Sequence, residues 1–276
     1  MFKKNKKKGL KLACICLALG VCQHISAQSV KSQYHWNNLP EVTSPQFRND
    51  TISIEGFGAK GDGYTLNTNS INAAIRASSK SGGGVVVVPA GYWLSGPIIL
   101  QSNVNLHLEE NAFLQFTDDF NQYKIVAGNY EGKVSARNES PISGTELENI
   151  AITGKGIIDG NGDAWRMVGK GALTESEWKT KVASGGLTSA DGKTWYPSGK
   201  SKLAHEERRS FLLAEGKKLT DFEDIKDYLR PNLLVLTKCK NVLLEGVTFQ
   251  NSPAWNLHPL MTQHLTIRDV KITNPD

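Results

Sequence analysis

Two acidic pairs are the first candidates for chemistry in this sequence. Asp159 and Asp163 lie four residues apart in "DGNGD", and Asp118 and Asp119 are adjacent. Two neighbouring carboxylates can work as general acid and general base, or can bind Ca²⁺. An EF-hand-type Ca²⁺ loop needs more oxygen ligands and a terminal Glu, which "DGNGD" lacks. Roles in a turn and at a helix start explain the first pair, and solvation explains the second.

Single basic and aromatic side chains form a second group of candidates. Arg230 could attract an anionic ligand, and Trp255 alternates with Leu257, which favours a place in the core or in a cleft wall. Cys239 is the one cysteine after residue 27, so neither a disulfide nor a cysteine metal site is predicted. Three further histidines lack the spacing of metal ligands, and no metal site is predicted from them: His107, His205 and His264.

The charge of the chain is unevenly distributed. The formal net charge of the 276 residues is +5. Six of the 32 Lys and Arg residues lie among the first 27 residues, which contain no acid, so the remainder carries 26 basic and 27 acidic side chains. A basic surface of the kind that binds nucleic acid is therefore not predicted.

The first 27 residues have the pattern of a secretory signal peptide. Lysines precede a short apolar run over residues 12–21, and a small residue follows at Ala27. The run is too short for a membrane span, which needs roughly 20 residues. The alternatives are a buried N-terminal helix and a lipoprotein anchor at Cys22, although Val21 stands where a lipoprotein signal has a small residue. We predict a secreted or periplasmic protein without membrane contact after cleavage of residues 1–27, then an irregular arm over residues 28–50.

A repeated strand pattern follows one helix. Apolar residues at helical spacing predict an amphipathic helix over residues 68–80, before the glycines at 82–84. Later, "NVLLEGVTFQN" and "HLTIRDVKITN" repeat one alternation at an offset of 23 residues, which indicates a solenoid. Leucine-rich repeats share this period but need fixed leucines and an asparagine ladder, whereas Val and Ile dominate here. We therefore predict an all-β fold, a single-stranded right-handed parallel β-helix over residues 51–276 whose exposed end the helix caps.

The repeat is interrupted between residues 166 and 230. "TESEWKTKVASGG" and "AHEERRSFLLAEG" predict helices, so this insertion is expected to be partly helical, and "DGKTWYPSGKS" predicts an aromatic-bearing loop. Long excursions from solenoids commonly carry binding surface. Trp178, Trp195 and Tyr196 favour an ordered flap that faces a sugar, and a disordered insertion is the alternative.

Four quoted segments carry more information than their periodicity. They are "FGAKGDGYTLNTNSINAAI", "GGGVVVVPAGYWLSGPIILQSNVNLHLEENAFL", "GKGIIDGNGDAW" and "CKNVLLEGVTFQNSPAWNLHPL". Together they resemble the N-terminal half of the glycoside hydrolases of family 28, the polygalacturonases and other pectinases. The last two segments are the more specific, and the first also occurs in pectate-lyase-like proteins and phage tailspikes. The sequence departs from the family at Leu66, a turn position where the family usually has Asp.

The resemblance implies metal-free, inverting hydrolysis, without a cofactor, of α-1,4 linkages in pectic polysaccharide or oligogalacturonide, either between galacturonate units or between galacturonate and rhamnose. Inversion needs one carboxylic acid to protonate the leaving oxygen and a second carboxylate to activate water. The family's acidic pairs, Gly-His-Gly and Arg-Ile-Lys do not occur among these residues, and the resemblance places them beyond Asp276. No catalytic residue is therefore predicted, Asp276 included. We expect a β-helix that is incomplete at its C-terminal end, and activity of this chain alone is doubtful.

The candidate substrate-binding residues are His258, Trp255 and Arg230. In the family, His258 would lie on the coil beside the catalytic coil, where it either contacts a carboxylated sugar or is hydrogen-bonded at a coil corner. Alternatives to a hydrolase are a lyase of the same fold, for which no Ca²⁺-binding acid cluster is visible, a non-catalytic carbohydrate-binding β-helix, and a truncated gene product. No oligomeric state is indicated.

Overall fold

Alternating aliphatic and polar residues form short strands through most of the chain. The computed structural model describes Trp36 and residues 38–274. The chain divides into residues 1–41 and residues 42–276, and the second unit contains every helix and strand named below. The predicted signal peptide, residues 1–27, and the first part of the predicted arm lie outside the described residues. Within the described part, no helix has the length and apolar character needed to cross a membrane.

The strands are two to seven residues long. In chain order they are β1 (Thr51–Ser53), β2 (Asp62–Leu66), β3 (Gly84–Val88), β4 (Gly91–Ser95), β5 (Ile98–Ile99), β6 (Val104–Leu108), β7 (Ala112–Phe116), β8 (Ile125–Tyr130), β9 (Lys133–Asn138), β10 (Ile142–Thr145), β11 (Glu148–Gly154), β12 (Ile157–Asp159), β13 (Val168–Gly169), β14 (Leu187–Thr188), β15 (Thr194–Tyr196), β16 (Leu234–Thr237), β17 (Lys240–Glu245), β18 (Thr248–Gln250), β19 (Leu257–Leu260), β20 (Gln263–Arg268) and β21 (Lys271–Thr273). 

The helices are fewer. The α-helices are α1 (Thr68–Lys80), α2 (Glu175–Ala183) and α3 (Gly199–Glu206), and the 3-10 helices are Ile54–Phe57, Phe120–Gln122, Gly162–Ala164, Lys170–Ala172 and Leu219–Tyr228.

Three parallel sheets form the body of the fold. Sheet A has the order β1-β3-β6-β11-β17-β20, sheet B has β2-β4-β7-β12-β18-β21, and sheet C has β5-β10-β16-β19. The chain visits A, B and C in turn. Coil 2 contains β3, β4 and β5, coil 3 contains β6, β7 and β10, coil 4 contains β11, β12 and β16, and coil 5 contains β17, β18 and β19. Parallel neighbours with right-handed crossovers make this a right-handed parallel β-helix, so the predicted fold class is confirmed.

Inward-pointing aliphatics stack in columns from coil to coil. Val86, Leu106, Ile152 and Leu244 are successive partners across sheet A, and each is at most 2% exposed. Branched side chains suit this environment because they pack well on a pleated surface. Full burial of each such side chain stabilises the fold by about 1.5–3 kcal/mol. The predicted offset of 23 residues is the pairing of β17 and β18 with β20 and β21.

Helix α1 covers the N-terminal end of the β-helix, as predicted. Its buried side includes Asn72, whose Nδ2 donates to Pro97 O and whose Oδ1 accepts from Ile99 N–H, both at 2.8 Å. This side-chain amide thereby supplies the hydrogen bonds that another strand would give to β5, the edge strand of sheet C. The cap therefore satisfies polar backbone groups as well as covering apolar side chains.

An asparagine ladder connects three coils. Asn103, Asn149 and Asn241 have φ values of 65°, 53° and 53°, a left-handed region that asparagine tolerates better than most residues. Asn149 Nδ2 donates to Asn103 Oδ1 and Asn241 Nδ2 donates to Asn149 Oδ1, each at 3.1 Å. An asparagine ladder therefore does not distinguish leucine-rich repeats from this fold.

The central rung of the ladder gives a stability prediction. We expect Asn149→Ala to lower the free energy of unfolding by about 2–3 kcal/mol, because two hydrogen bonds and the tolerance of positive φ are lost together. Asn111→Ala is the control, since Asn111 is exposed, has a φ of 67° and makes no side-chain hydrogen bond to a described residue. Its expected loss is about 1 kcal/mol. Urea unfolding of both variants measures the difference, and equal losses would contradict a role for the ladder.

Two excursions leave the coils on one side. Between β7 and β10 the chain forms the antiparallel β8–β9 hairpin, with Glu131 and Gly132 at φ values of 49° and 81° in its two-residue turn. Between β12 and β16 it forms an insertion with α2, α3 and a small antiparallel sheet of β13, β14 and β15. The excursions share an apolar cluster: Ala136, Ala204, Phe222, Ile225 and Leu229.

The insertion corrects three details of the sequence prediction. Helix α2 lies within the first predicted helix, but α3 begins at Gly199 and overlaps the second only up to Glu206. The predicted aromatic loop contains strand β15. The aromatic side chains of the insertion do not face solvent, because they pack inside it: Trp178, Trp195 and Tyr196 are 7%, 5% and 6% exposed. The prediction that these rings face a sugar is therefore wrong.

Candidate functional site

Three consecutive coils leave the β-helix at the same place, the turn between sheets B and C. Coil 3 leaves there with the β8–β9 hairpin, coil 4 with the insertion, and coil 5 with the loop of residues 251–256. Coils of a β-helix stack about 4.8 Å apart, so segments that leave from equivalent turns meet beside the sheet. Two adjacent cavities lie among them, and both are lined by Arg137 of β9.

The first, which we call the arginine cavity, has a volume of about 350 Å³. Each of the three segments contributes to its lining, which includes Tyr130, Arg137, Arg166, Phe211, Arg230 and Trp255. The second, which we call the hairpin cavity, has a volume of about 480 Å³ and lies between the hairpin and the outer face of sheet C. Its lining includes Gly128, Arg137, Glu139, Ser143, Asn232 and His258.

Three guanidinium groups line the arginine cavity, and two of them have no acidic partner within residues 38–274. No carboxylate of the described residues lies within 4.0 Å of Arg137 or Arg230. Burial lowers the pKa of Arg137 to about 10, and the positive charge of Arg230 contributes to this shift. Burial also lowers the pKa of Arg230, with a contribution from Arg166. An anion in the cavity would relieve the repulsion among these cations and replace lost hydration.

A hydrogen-bond network holds Arg166 at the edge of this cavity. Its guanidinium donates to Ser252 O at 2.6 Å, to Asn251 Oδ1 at 2.7 Å and to Asp163 Oδ1 at 2.6 Å. Asp159 is buried, accepts from Gln250 Nε2 at 2.7 Å, and so ties coil 4 to coil 5. The two acids of "DGNGD" therefore position the turn and Arg166, in agreement with the turn roles that the sequence favours.

Aromatic rings form the wall of the arginine cavity. Trp255 is 43% exposed and stacks on Tyr130 of the hairpin, with 5.6 Å between ring centroids and 10° between planes. The guanidinium carbon of Arg137 lies 5.3 Å from the Tyr130 ring centroid and 5.9 Å from that of Phe211. Stacking and cation–π contacts hold these groups in place, since each aromatic pair contributes about 0.5–1.5 kcal/mol.

The predicted site residues come together in this region. Trp255 and Arg230 line the arginine cavity, and His258, on β19, lines the neighbouring hairpin cavity. The ring of His258 contacts that of Trp255 edge-on, with centroids 5.5 Å apart. Burial lowers the pKa of His258, and the charge of Arg137 adds to this effect. His258 lies within β19 rather than at a coil corner, and its ring makes no hydrogen bond to a described residue, so the predicted alternative of a hydrogen-bonded corner histidine is wrong.

Sequence reasoning missed Arg137, Glu139 and Tyr130 because it missed the hairpin that carries or adjoins them. One signal was present. The segment "IVAGNYEGKVSARN" has Gly132 at the second position of a two-residue turn between β-forming runs, which is a hairpin pattern. The acid near the arginine cavity is engaged, since Asp163 pairs with Arg166. No cluster of three or more His, Cys, Asp or Glu residues suited to a metal occurs in the part of the chain that the structure describes.

Comparison with known proteins agrees with the fold. A probable polygalacturonase of Vitis vinifera is 28% identical over 244 residues, which cover 85% of this chain and 39% of that protein. An exo-poly-alpha-D-galacturonosidase of Dickeya chrysanthemi is 38% identical over 119 residues, which cover 40% of this chain and 19% of that protein. The crystal structure of a hyperthermoactive exopolygalacturonase from Thermotoga maritima aligns with a TM-score of 0.59 at 29% identity.

The matched length differs strongly between this chain and its relatives. The Thermotoga alignment covers 84% of this chain and 49% of the other chain, and the Vitis alignment covers 39% of that relative. The chain thus spans about half the length of these relatives or less. The profile of the family described as rhamnogalacturonase A/epimerase, pectate lyase-like, matches residues 51–201, more than half of the chain. The resemblance to polygalacturonases predicted from the sequence is thus confirmed, and the chain belongs to the rhamnogalacturonase A/epimerase, pectate lyase-like family.

Proposed function

We propose that this chain is the substrate-binding part of a polygalacturonase-type glycoside hydrolase that acts on pectic galacturonan. The observation that carries this proposal is the convergence of Arg137, Arg166 and Arg230 on a cavity walled by Trp255. Galacturonate offers a carboxylate to the guanidinium groups and a sugar ring to the aromatic wall, so one unit meets both features. The names of the relatives, which include polygalacturonases, favour the same substrate.

The described residues contribute binding and orientation rather than bond cleavage. Inverting hydrolysis needs one protonated and one ionised carboxyl group on opposite sides of the scissile bond, about 6.5–9.5 Å apart. At the arginine cavity the near acid, Asp163, is held 2.6 Å from Arg166, so its carboxylate is engaged in positioning that guanidinium. We infer that the catalytic carboxylates belong to motifs that these 276 residues do not include. His258, Trp255 and Arg230 keep their proposed roles as substrate-binding residues.

The setting of this activity is also a proposal. We infer a secreted or periplasmic protein, because a charged start, a short apolar run and Ala27 form a signal-peptide pattern in the sequence. In this proposal residues 1–27 are removed, residues 28–50 form an arm, and the β-helix begins near residue 51 with an insertion over residues 166–230. A non-catalytic carbohydrate-binding protein is the second candidate, since the acid near the arginine cavity, Asp163, is paired with Arg166.

Calorimetric titration with trigalacturonate tests the proposed function. We expect the 276-residue protein to bind this oligomer saturably and with an affinity that falls as salt is added, because the attraction is between a carboxylate and desolvated cations. Maltotriose, which has no carboxylate, is the control ligand and should bind far more weakly. Release of reducing ends should be small beside that of an intact polygalacturonase. Absence of trigalacturonate binding to the folded protein would contradict the proposal, and unsaturated products would favour a lyase.

A further inference from the structure

Residues 43–50, which we call the crossing segment, connect two distant coils over the outer face of sheet A. At one end, Thr43 N–H donates to His264 Nδ1 at 3.2 Å, a contact between residues 221 positions apart in the sequence. His264 lies on β20, which with β21 forms coil 6. At the other end, the segment continues into β1, which with β2 forms coil 1. The segment therefore joins coil 1 to coil 6 without following the coils between them.

The end of the crossing segment near coil 1 is attached to the cap. Arg48 Nη1 donates to the carbonyl oxygen of Ser81, the residue after α1, at 2.6 Å, and Arg48 Nη2 pairs with Asp50 Oδ2 at 2.8 Å. Asp50 O accepts from Val85 N–H of β3 at 2.8 Å. A Cβ on Gly82 would lie 2.7 Å from Arg48 Nη1, so glycine leaves room for this guanidinium. The segment is thus bonded to both the cap helix and coil 2.

The middle of the crossing segment lies over coils 3, 4 and 5. Pro45 is buried and Phe47 is half-buried, and removal of these side chains from water stabilises their position. They line a cavity of about 1010 Å³ together with outward-facing residues of sheet A: Asn105, His107, Thr153, Leu243 and Glu245. Residues 43–50 form no strand. The segment therefore spans the outer face of the sheet instead of pairing with it.

The length of the crossing segment leaves little slack. The pairing register of sheet A places Thr51 five strands away from Thr266, which is two residues after His264. Strands of a sheet lie about 4.8 Å apart, so these two levels are separated by about 24 Å. The chain from Thr43 to Thr51 reaches at most about 26–29 Å when fully extended. Coil 6 therefore cannot move away from coil 1 unless one of the attachments breaks.

A taut contact of this kind changes how a solenoid opens. Each coil of a solenoid contacts only its neighbours, so a fluctuation in one coil reaches a distant coil only through all the coils between them. We propose that residues 43–50 are an axial strap, which couples the local opening of coil 6 directly to that of coil 1 and the cap helix. The inference is independent of the proposed function, because residues 43–50 line neither the arginine cavity nor the hairpin cavity.

Hydrogen exchange of the β20 amides, followed by mass spectrometry in the 276-residue protein, tests the strap. Thr43→Pro removes the N–H group that binds His264. We expect the β20 amides to exchange about threefold faster or more, because the closed state loses the net contribution of one hydrogen bond. Inserting Gly-Ser-Gly-Ser between Gln46 and Phe47 keeps both attachments but adds slack. This slack variant should accelerate exchange of the same amides to a similar extent.

Two matched variants control for proline and for chain length. Gln46→Pro places proline at another exposed position of the strap, whose backbone N–H donates no hydrogen bond to a described residue. Adding the same four residues between Glu215 and Gly216 lengthens an exposed turn outside the strap. Neither control should change β20 exchange by more than about twofold. Unchanged β20 exchange in Thr43→Pro or in the slack variant, or equal acceleration in the controls, would overturn the coupling.

Discussion

Replacing Arg137 with methionine is expected to weaken binding of trigalacturonate by about 10- to 150-fold. Loss of a hydrogen bond to a charged group corresponds to about 1.5–3 kcal/mol of binding free energy, and each factor of ten in Kd is about 1.4 kcal/mol. Arg137 has the largest expected effect because it borders both cavities and because no acid of the described residues competes for its guanidinium. Calorimetric titration at constant pH and salt gives the Kd values directly.

The same substitution should not destabilise the unliganded protein. Burial lowers the pKa of Arg137 to about 10, so at neutral pH the folded state holds a charge that the unfolded state would solvate better. A basic group whose pKa falls on folding reduces stability while it is protonated, and its removal returns that free energy. Loss of the contacts with Tyr130 and Phe211 opposes this by about 0.5–1 kcal/mol each. We expect a change in the free energy of unfolding between zero and about +1 kcal/mol.

Opposite signs of the two effects distinguish a binding role from a structural one. Arg76→Met on α1 is the matched control, because Arg76 is exposed, lines neither cavity and changes the net charge equally. It should alter trigalacturonate affinity less than about twofold. If Arg137→Met left affinity at the level of the Arg76 control, the guanidinium would have no role in binding the anion, and a loss of several kcal/mol in stability would contradict the expected sign of its effect on folding.

Gly154→Ala is expected to lower the free energy of unfolding by about 3–5 kcal/mol, the largest stability effect that we predict. Gly154 ends β11 with a φ of +113°, and an added Cβ would lie 1.9 Å from Leu108 O on the preceding coil. Carbonyl groups of the backbone cannot move aside as a flexible side chain can, so coils 3 and 4 would have to separate. Backbone strain and this collision are the two physical sources of the loss.

Gly132→Ala separates these two sources. Gly132 also has a positive φ, +81°, at the tip of the hairpin, but an added Cβ there meets no atom within 4 Å. Its cost is therefore only that of placing alanine in the left-handed region, about 1–2 kcal/mol. Urea unfolding of the two variants, with equal m-values as a check on the unfolded state, gives the difference. Similar losses would show that coil contact at Gly154 is looser than the distance implies.

The binding region depends on the regularity of the β-helix. The same turn is replaced in three successive coils, by the β8–β9 hairpin, by the insertion and by the loop of residues 251–256. The stacking of sheet C therefore determines which of their side chains meet. Arg137 and Arg230 are distant in sequence but share the arginine cavity because β10 and β16 are paired neighbours. Asp159 and Arg166 then fix the turn of coil 4 against coil 5. The fold therefore sets the spacing between the excursions, and the excursions carry the side chains that line the cavities.

Local sequence patterns were enough to predict much of this fold without information on tertiary contacts. The offset of 23 residues predicted the coil, because a stacked repeat must place the same residue types at the same register. Helical spacing predicted α1, and its amphipathic side is the one that covers the coils. The four quoted segments were sufficient to predict the resemblance to the family. They also brought attention to Trp255 and His258, since both lie in a coil whose sequence resembles that family.

Only the tertiary structure decided which excursions meet and which way their side chains face. A hydrophobic pattern reports burial within one segment, and it contains no information about the partner that buries it. Trp178, Trp195 and Tyr196 therefore gave the wrong expectation, because rings that stabilise the insertion and rings that wall a cavity have the same sequence signal. Arg137 gained its importance from burial and from neighbours on another excursion, Phe211 and Arg230, two properties that long-range packing alone creates.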